Sequence, residues 1–218
     1  MFTWSPETGT TFQAFTTNAP LQPGPPPPPT PPPAQDSAST DVNRVFIYRL
    51  KWSVLDSPSK AEILSLDAED NPQWTPLFLD PVADEAATDP PQSRVQISLE
   101  PLDAWEHWQQ AEKDPPAPGF VENTDGRPIS VKQLMQATHD YAVPLRRLLC
   151  RCCDIWGPEK ETRARFYFTG LGLGEGTPES PYTRLGVDVS HDMDEDGHQL
   201  AFYLETIETV YRNSLASH

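Results

Sequence analysis

The sequence predicts an α+β domain with a mostly antiparallel sheet and helices packed on one face, preceded by a disordered proline-rich arm. Three observations predict it. Composition breaks near residue 41, where a proline-rich stretch gives way to alternating apolar segments and turn signals. Short segments of period two alternate with segments of period 3.6. The two kinds follow no regular βαβ repeat, which favours α+β over α/β.

Residues 1–41 form the arm and residues 42–218 a single domain. Residues 20–33 hold ten prolines, including Pro25, Pro26, Pro27, Pro28 and Pro29. Each proline fixes φ and removes a donor, so polyproline II with a solvated backbone is expected. That helix is a preformed ligand for aromatic-lined grooves. The arm contains no Arg or Lys to orient it on an SH3 domain, so a WW-type or profilin-type reader suits it better. A semi-rigid spacer is the simpler use of the same composition. Trp4, Phe12 and Phe15 lie ahead of the prolines as a short linear motif, or as an edge that folds back.

In the domain, residues 44–55 read as a long strand. Phe46, Tyr48, Leu50, Trp52 and Val54 face inward, while Arg49, Lys51 and Ser53 face water. Residues 56–91 carry nine acidic residues, one Lys and six prolines. They read as a largely irregular cover, anchored by Leu77-Phe78-Leu79. Val95, Ile97 and Leu99 mark a second strand. Leu102, Trp105 and Trp108 have helical spacing over 102–113.

Ser130 is an N-cap, with Gln133 closing a capping box and Ile129 and Leu134 at the staple positions. The apolar face continues through Met135, Thr138, Tyr141 and Ala142. Pro144 kinks the helix or starts another. Leu145, Leu148, Leu149, Cys152 and Trp156 carry the pattern to a stop at Gly157-Pro158. Residues 163–169 and Leu185, Val187 and Val189 read as strands. A final helix over 198–212 turns Leu200, Tyr203, Leu204, Ile207, Val210 and Tyr211 inward.

Charge and cysteine usage narrow the function. The net charge of −16 disfavours nucleic acid and anionic membranes, because affinity for both comes from Lys and Arg. Three cysteines within four residues cannot staple distant parts of a chain. The first residues lack a basic stretch followed by an apolar run, so no signal peptide is expected. No run approaches the roughly 20 apolar residues of a transmembrane helix. An intracellular protein, cytoplasmic or nuclear, is expected.

Several local patterns suggest sites. Asp192, Asp194 and Asp196 with Gly197 match the first half of a calcium loop. The twelfth position is Tyr203 where a bidentate Glu is needed. An acidic strand-to-helix turn, with Asp194 or Asp196 as cap, accounts for the same residues. His191 and His198 flank that turn without a third soft ligand near in sequence. Cys150, Cys152 and Cys153 lack the second pair that a zinc site needs. Arg147 and Arg151 can lower a thiol pKa, but buried apolar packing is the simpler role.

Gly170 to Gly176 matches neither dinucleotide nor phosphate-loop spacing and reads as a flexible hairpin connection. His139-Asp140 cannot form a relay as helix neighbours. Arg127, Lys132, Arg146, Arg147 and Arg151 make the 127–151 stretch basic. The acidic 56–91 segment docks over it, or a partner does; both readings stand.

Trp52-Ser53-Val54 with Ser57-Pro58-Ser59-Lys60-Ala61, Ala86-Ala87-Thr88-Asp89-Pro90-Pro91, and Ile129-Ser130-Val131 through Leu134, His139 and Leu145-Arg146 carry a family likeness. Over roughly residues 50–170 the chain resembles an uncharacterised family of fungal proteins, most numerous in basidiomycetes. Each has a low-complexity N-terminus and one domain. The chain departs at Ser53, at Ala86 and in a longer 102–118 insert. The resemblance implies one intracellular domain and no activity, cofactor or catalytic residue.

The expectation is a non-enzymatic protein-interaction module whose partners bind Pro25–Pro29 or the Arg146, Arg147 and Arg151 face, with no cofactor. The alternative is an enzyme or a small-ligand or calcium-binding protein with a site near the 191–198 turn. His139, His191 and the acids of that turn would then supply the chemistry.

Overall fold

The structure, a computed structural model, describes residues 41–103, 114, 116–174, 182–192 and 198–216. The arm before Asp41, Trp105 and Trp108 of the expected 102–113 helix, and Asp194 and Asp196 lie outside the described residues.

The domain is α+β, as the sequence predicts. Its largest sheet has the order β7-β6-β9-β8. These strands are Arg94–Leu99 (β6), Gly119–Glu122 (β7), Arg165–Gly174 (β8) and Arg184–Asp192 (β9). Only the β6–β9 pair is parallel, with Ile97 opposite Leu185; the rest pair antiparallel. β6 is buried almost along its length, including polar Gln96 and Ser98. Ser98 Oγ is satisfied by Arg184 Nε at 3.1 Å.

The segment 44–55 is not one strand. After β1 (Asp41–Val42) comes a short helix, α1 (Arg44–Ile47), then β2 (Leu50–Lys51). The helical turn lets consecutive Phe46 and Ile47 both reach the core, which strand alternation forbids, and leaves Tyr48 exposed. From Leu50 the chain runs between two sheets. Leu50 pairs with Ile63, and then Val54 N donates to Phe166 O while Phe168 N donates to Trp52 O, both at 2.9 Å. Ser53 is buried and not solvated, because its Oγ accepts from Phe166 N at 3.2 Å.

The acidic 56–91 segment also differs from expectation. It contains a hairpin of β3 (Glu62–Leu66) and β4 (Pro72–Pro76), which with β2 forms a sheet ordered β2-β3-β4. Ala61, Ile63, Leu64, Leu77, Val82, Ala83 and Ala87 are buried. The acids sit on turns and outer positions. Asp67 shows the pattern: its carboxylate accepts from Asn71 N at 2.8 Å and Glu69 N at 3.0 Å and closes the hairpin. Those backbone donors, Asn71 first, hold its pKa below the usual carboxylate value. In the Leu77-Phe78-Leu79 anchor only Leu77 is buried. β5 (Thr88–Asp89) pairs with β1.

After β6 comes α2 (Glu100–Asp103). The capped helix is α3 (Val131–Ala142), with its capping box formed. Gln133 Oε1 accepts from Ser130 N at 2.9 Å, and Ile129 and Leu134 are both 2% exposed. Such a cap contributes about 1 kcal/mol. Val143-Pro144-Leu145 forms a 3₁₀ turn into α4 (Arg146–Cys152), as the proline requires. The apolar stripe stops short of Trp156, which is 59% exposed. Asp154 takes a positive φ of 56°, so the chain turns and Ile155 occupies the buried place instead. Gly157, at φ 105°, then opens α5 (Pro158–Arg163).

β8 extends through Gly174, so Gly170 to Gly174 is strand and not a hairpin connection. Gly172 stands opposite Gly186. The last helix, α6 (His198–Ala216), has Ile207 buried. Tyr203 OH donates to the Phe168 carbonyl, with the Leu50 carbonyl 3.3 Å from the same oxygen, and Arg49 stacks 4.9 Å from the Tyr211 ring centroid. These contacts tie α6 to the junction of the two larger sheets.

Candidate functional site

A groove of about 610 Å³ runs between α6 and the β8–β9 ribbon. Thr169 from β8, Ser190 from β9, and His198, Phe202, Tyr203 and Thr206 from α6 line it. Helical spacing puts His198, Phe202 and Thr206 on one face. Phe202 is 72% exposed, an unusual position for a phenyl ring. Tyr203 is locked by its bond to the Phe168 carbonyl, and burial pushes its pKa well up. The Thr206 hydroxyl donates to Phe202 O at 2.9 Å.

Asp188 flanks the groove, on the same face of β9 as Ser190. Its carboxylate lies 3.2 Å from where a side chain on Gly170 would begin. Burial raises its pKa. It has no hydrogen bond or ion pair with another described residue. Its ionised form therefore carries a desolvation cost in the fold. Asp188→Asn is expected to raise the melting temperature at pH 7. The folded state holds the Asp188 proton more tightly, so the advantage shrinks as pH falls through the raised pKa. It vanishes below the unfolded value near 3.8. Melting curves of both proteins from pH 3 to 8 test this.

The candidate residues do not converge. His139 on α3 has Nδ1 3.2 Å from the Val54 carbonyl, a structural bond. His191, next to last in β9, lies beside the Phe166 ring, with centroids 6.3 Å apart. His198 lies on the groove. Asp192 closes β9, whereas Asp194 and Asp196 are not described. Among the described residues no three His, Cys, Asp or Glu gather as a metal would require.

The thiols are packed and not activated. Burial is the first cause that raises all three; Cys153 is pushed to about 11. Arg147 and Arg151 do not offset it, and only Arg146 pulls the other way, at Cys150. A thiol pushed from 9.0 to about 11 holds about 100-fold less thiolate at pH 7.5. Iodoacetamide at pH 7.5 should accordingly modify native Cys153 about 100-fold more slowly than the urea-unfolded chain. Equal rates, read by mass spectrometry, would refute the buried role.

The basic stretch divides. Lys132 pairs with Asp84, Val131 N donates to Glu85 O and Ala87 N to Ile129 O, so residues 84–87 do dock at the start of α3. A cleft of about 410 Å³ there is lined by groups that satisfy one another, including Asn123 with Gln133 and Lys132 with Asp84. Arg146 is also spoken for, with Nη1 on the carbonyls of Glu161, Thr162 and Ala164. Arg147 and Arg151 have no ion pair with a described residue. With Val143, which is 41% exposed, they follow at intervals of four on the outer side of the α4 segment.

Sequence reasoning named His198 but missed Phe202, Thr169 and Ser190. The one available signal was Phe202 itself, an aromatic outside the inward set of α6. No family model matches the chain, and neither a curated protein nor a solved structure is significantly similar to it.

Proposed function

We propose that this chain is a non-enzymatic protein-interaction module. The polyproline stretch 20–33, centred on Pro25 to Pro29, meets a polyproline-recognition domain. The folded part offers a second face. The observation that supports the reading is the outward stripe of Val143, Arg147 and Arg151 on a chain of net charge −16. Guanidiniums without an ion pair to a described residue suit an acidic partner, whose approach they orient. Arg146 contributes by holding the 161–164 carbonyls. An intracellular setting and kinship with the fungal family belong to the same proposal. Among the described residues no helix is long and apolar enough to cross a membrane.

The test compares the full chain with one beginning at Asp41. The shorter chain should melt cooperatively at nearly the same temperature, because the arm has too little apolar surface to offset its ordering entropy. Proteins recovered by the full chain and lost with the arm identify a polyproline reader. Proteins recovered by both forms, and lost on Arg147→Glu with Arg151→Glu, identify the domain face. If neither form recovers a partner while a small molecule raises the melting temperature, the reading fails.

A second reading, a ligand- or calcium-binding protein near the 191–198 turn, is favoured by the groove that Ser190 and His198 line beside that turn. A rise in melting temperature with millimolar calcium, lost in Asp194→Ala, would support it.

A further inference from the structure

We propose that the groove between α6 and the β8–β9 ribbon receives a basic partner segment, which sets an apolar side chain against Phe202 and a Lys or Arg beside Asp188. The proposal rests on the interaction-module reading and adds a surface distinct from the arm and from Arg147 and Arg151.

The occupant is argued from chemistry on the two walls. Phe202 is the most exposed aromatic among the described residues and stands over the groove instead of in the core. Surface aromatics of this kind are enriched among residues that anchor interfaces. Of the four lining hydroxyls, those of Tyr203 and Thr206 already donate to backbone carbonyls, and the exposed Phe202 ring offers its apolar face to an apolar side chain. No acid is among the described lining residues, but one stands next to each wall, Asp188 two residues from Ser190 on β9 and Glu205 next to Thr206 on α6. Asp188 is the partly buried carboxylate without a described partner. Glu205, three residues beyond Phe202 on the same helical face, is exposed. His198 is the sole basic side chain among the described lining residues. A cation brought by the partner would offset the desolvation of Asp188 and lie within reach of the Phe202 ring face. An acidic or uncharged occupant would do neither. The overall charge of −16 adds long-range attraction for the same class of partner.

The probe is a dye-labelled dodecapeptide of alternating Leu and Lys, with Gln-Lys and Leu-Glu dodecapeptides as comparisons. Fluorescence polarisation on the full chain should show the Leu-Lys peptide bound at least about tenfold more tightly than either comparison. Phe202→Ala should weaken it at least about tenfold, and Asp188→Asn with Glu205→Gln about threefold or more. Phe202 is largely solvated, so its removal leaves the fold intact, which far-UV circular dichroism and melting verify. Arg147→Glu with Arg151→Glu should not weaken the peptide. An unchanged Kd for Phe202→Ala, or equal binding of the Gln-Lys peptide, means attachment by charge alone and overturns the proposal. Neither result touches partners captured through the arm. The proposal also falls if Phe202→Ala instead abolishes a concentration-dependent dimer, which makes a second copy the occupant. It falls equally if calcium raises the melting temperature and no peptide binds.

Discussion

Phe166→Ala is expected to remove about 3–5 kcal/mol of stability, seen as a fall in urea midpoint with an unchanged slope. The ring is fully buried in β8. Its backbone holds the 52–54 segment at two points: the Phe166 carbonyl accepts from Val54 N, and its own N–H donates to Ser53 Oγ. On the other side it pairs with His191 of β9. Truncation leaves a void bounded by rigid strands that cannot collapse into it, so the cost sits at the upper end for aromatic deletions. A domain of this size holds roughly 5–15 kcal/mol in all. The variant should be partly unfolded at physiological temperature. A loss below about 1 kcal/mol would show that the 52–54 segment does not cover β8.

Ile63→Ala tests the other half of the architecture. Ile63 is fully buried in β3, opposite Leu50 on one side and Thr75 on the other. Its truncation should cost about 2–5 kcal/mol. A surface strap, which is what the composition of 56–91 suggests, would lose less than about 0.5 kcal/mol. The two outcomes are far enough apart for one denaturation curve to decide. Leu79→Ala in the same segment, at an exposed position, supplies the contrast.

The contrast between these segments shows which parts of the fold were legible. α3 was readable because its ends are chemical: Ser130, Gln133 and the Ile129–Leu134 staple act within a few residues of one another. β6, β9 and α6 were readable because a sustained period survives in sequence, whereas β8 was readable only to residue 169, because the glycines of its second half look like a turn. Residues 44–55 also carry a clean period of two. Yet Phe46 and Ile47 are both buried, because that stretch is the helical turn α1 and not a strand. Ile63 and Leu64 are likewise both buried, on opposite faces of one strand, so β3 shows no alternation. Its neighbouring acids and prolines belong to turns, and window composition cannot separate turns from the strand between them. The candidate groove was less legible still. Thr169, Ser190 and Phe202 come from two strands and a helix, and only the fold places them together. The acidic turn attracted attention because its ligand-like spacing is local.

β4 has a consequence for the behaviour of the protein at high concentration. It is the outer strand of its sheet, and its two end residues, Pro72 and Pro76, carry no N–H. A strand from another molecule that tried to extend the ladder would find donors missing at both ends. Growth of a fibril requires an unbroken row of them. The acidic hairpin is thereby a poor template for its own copies, and the prolines that hide its strand character from a reader of the sequence also keep this edge from seeding.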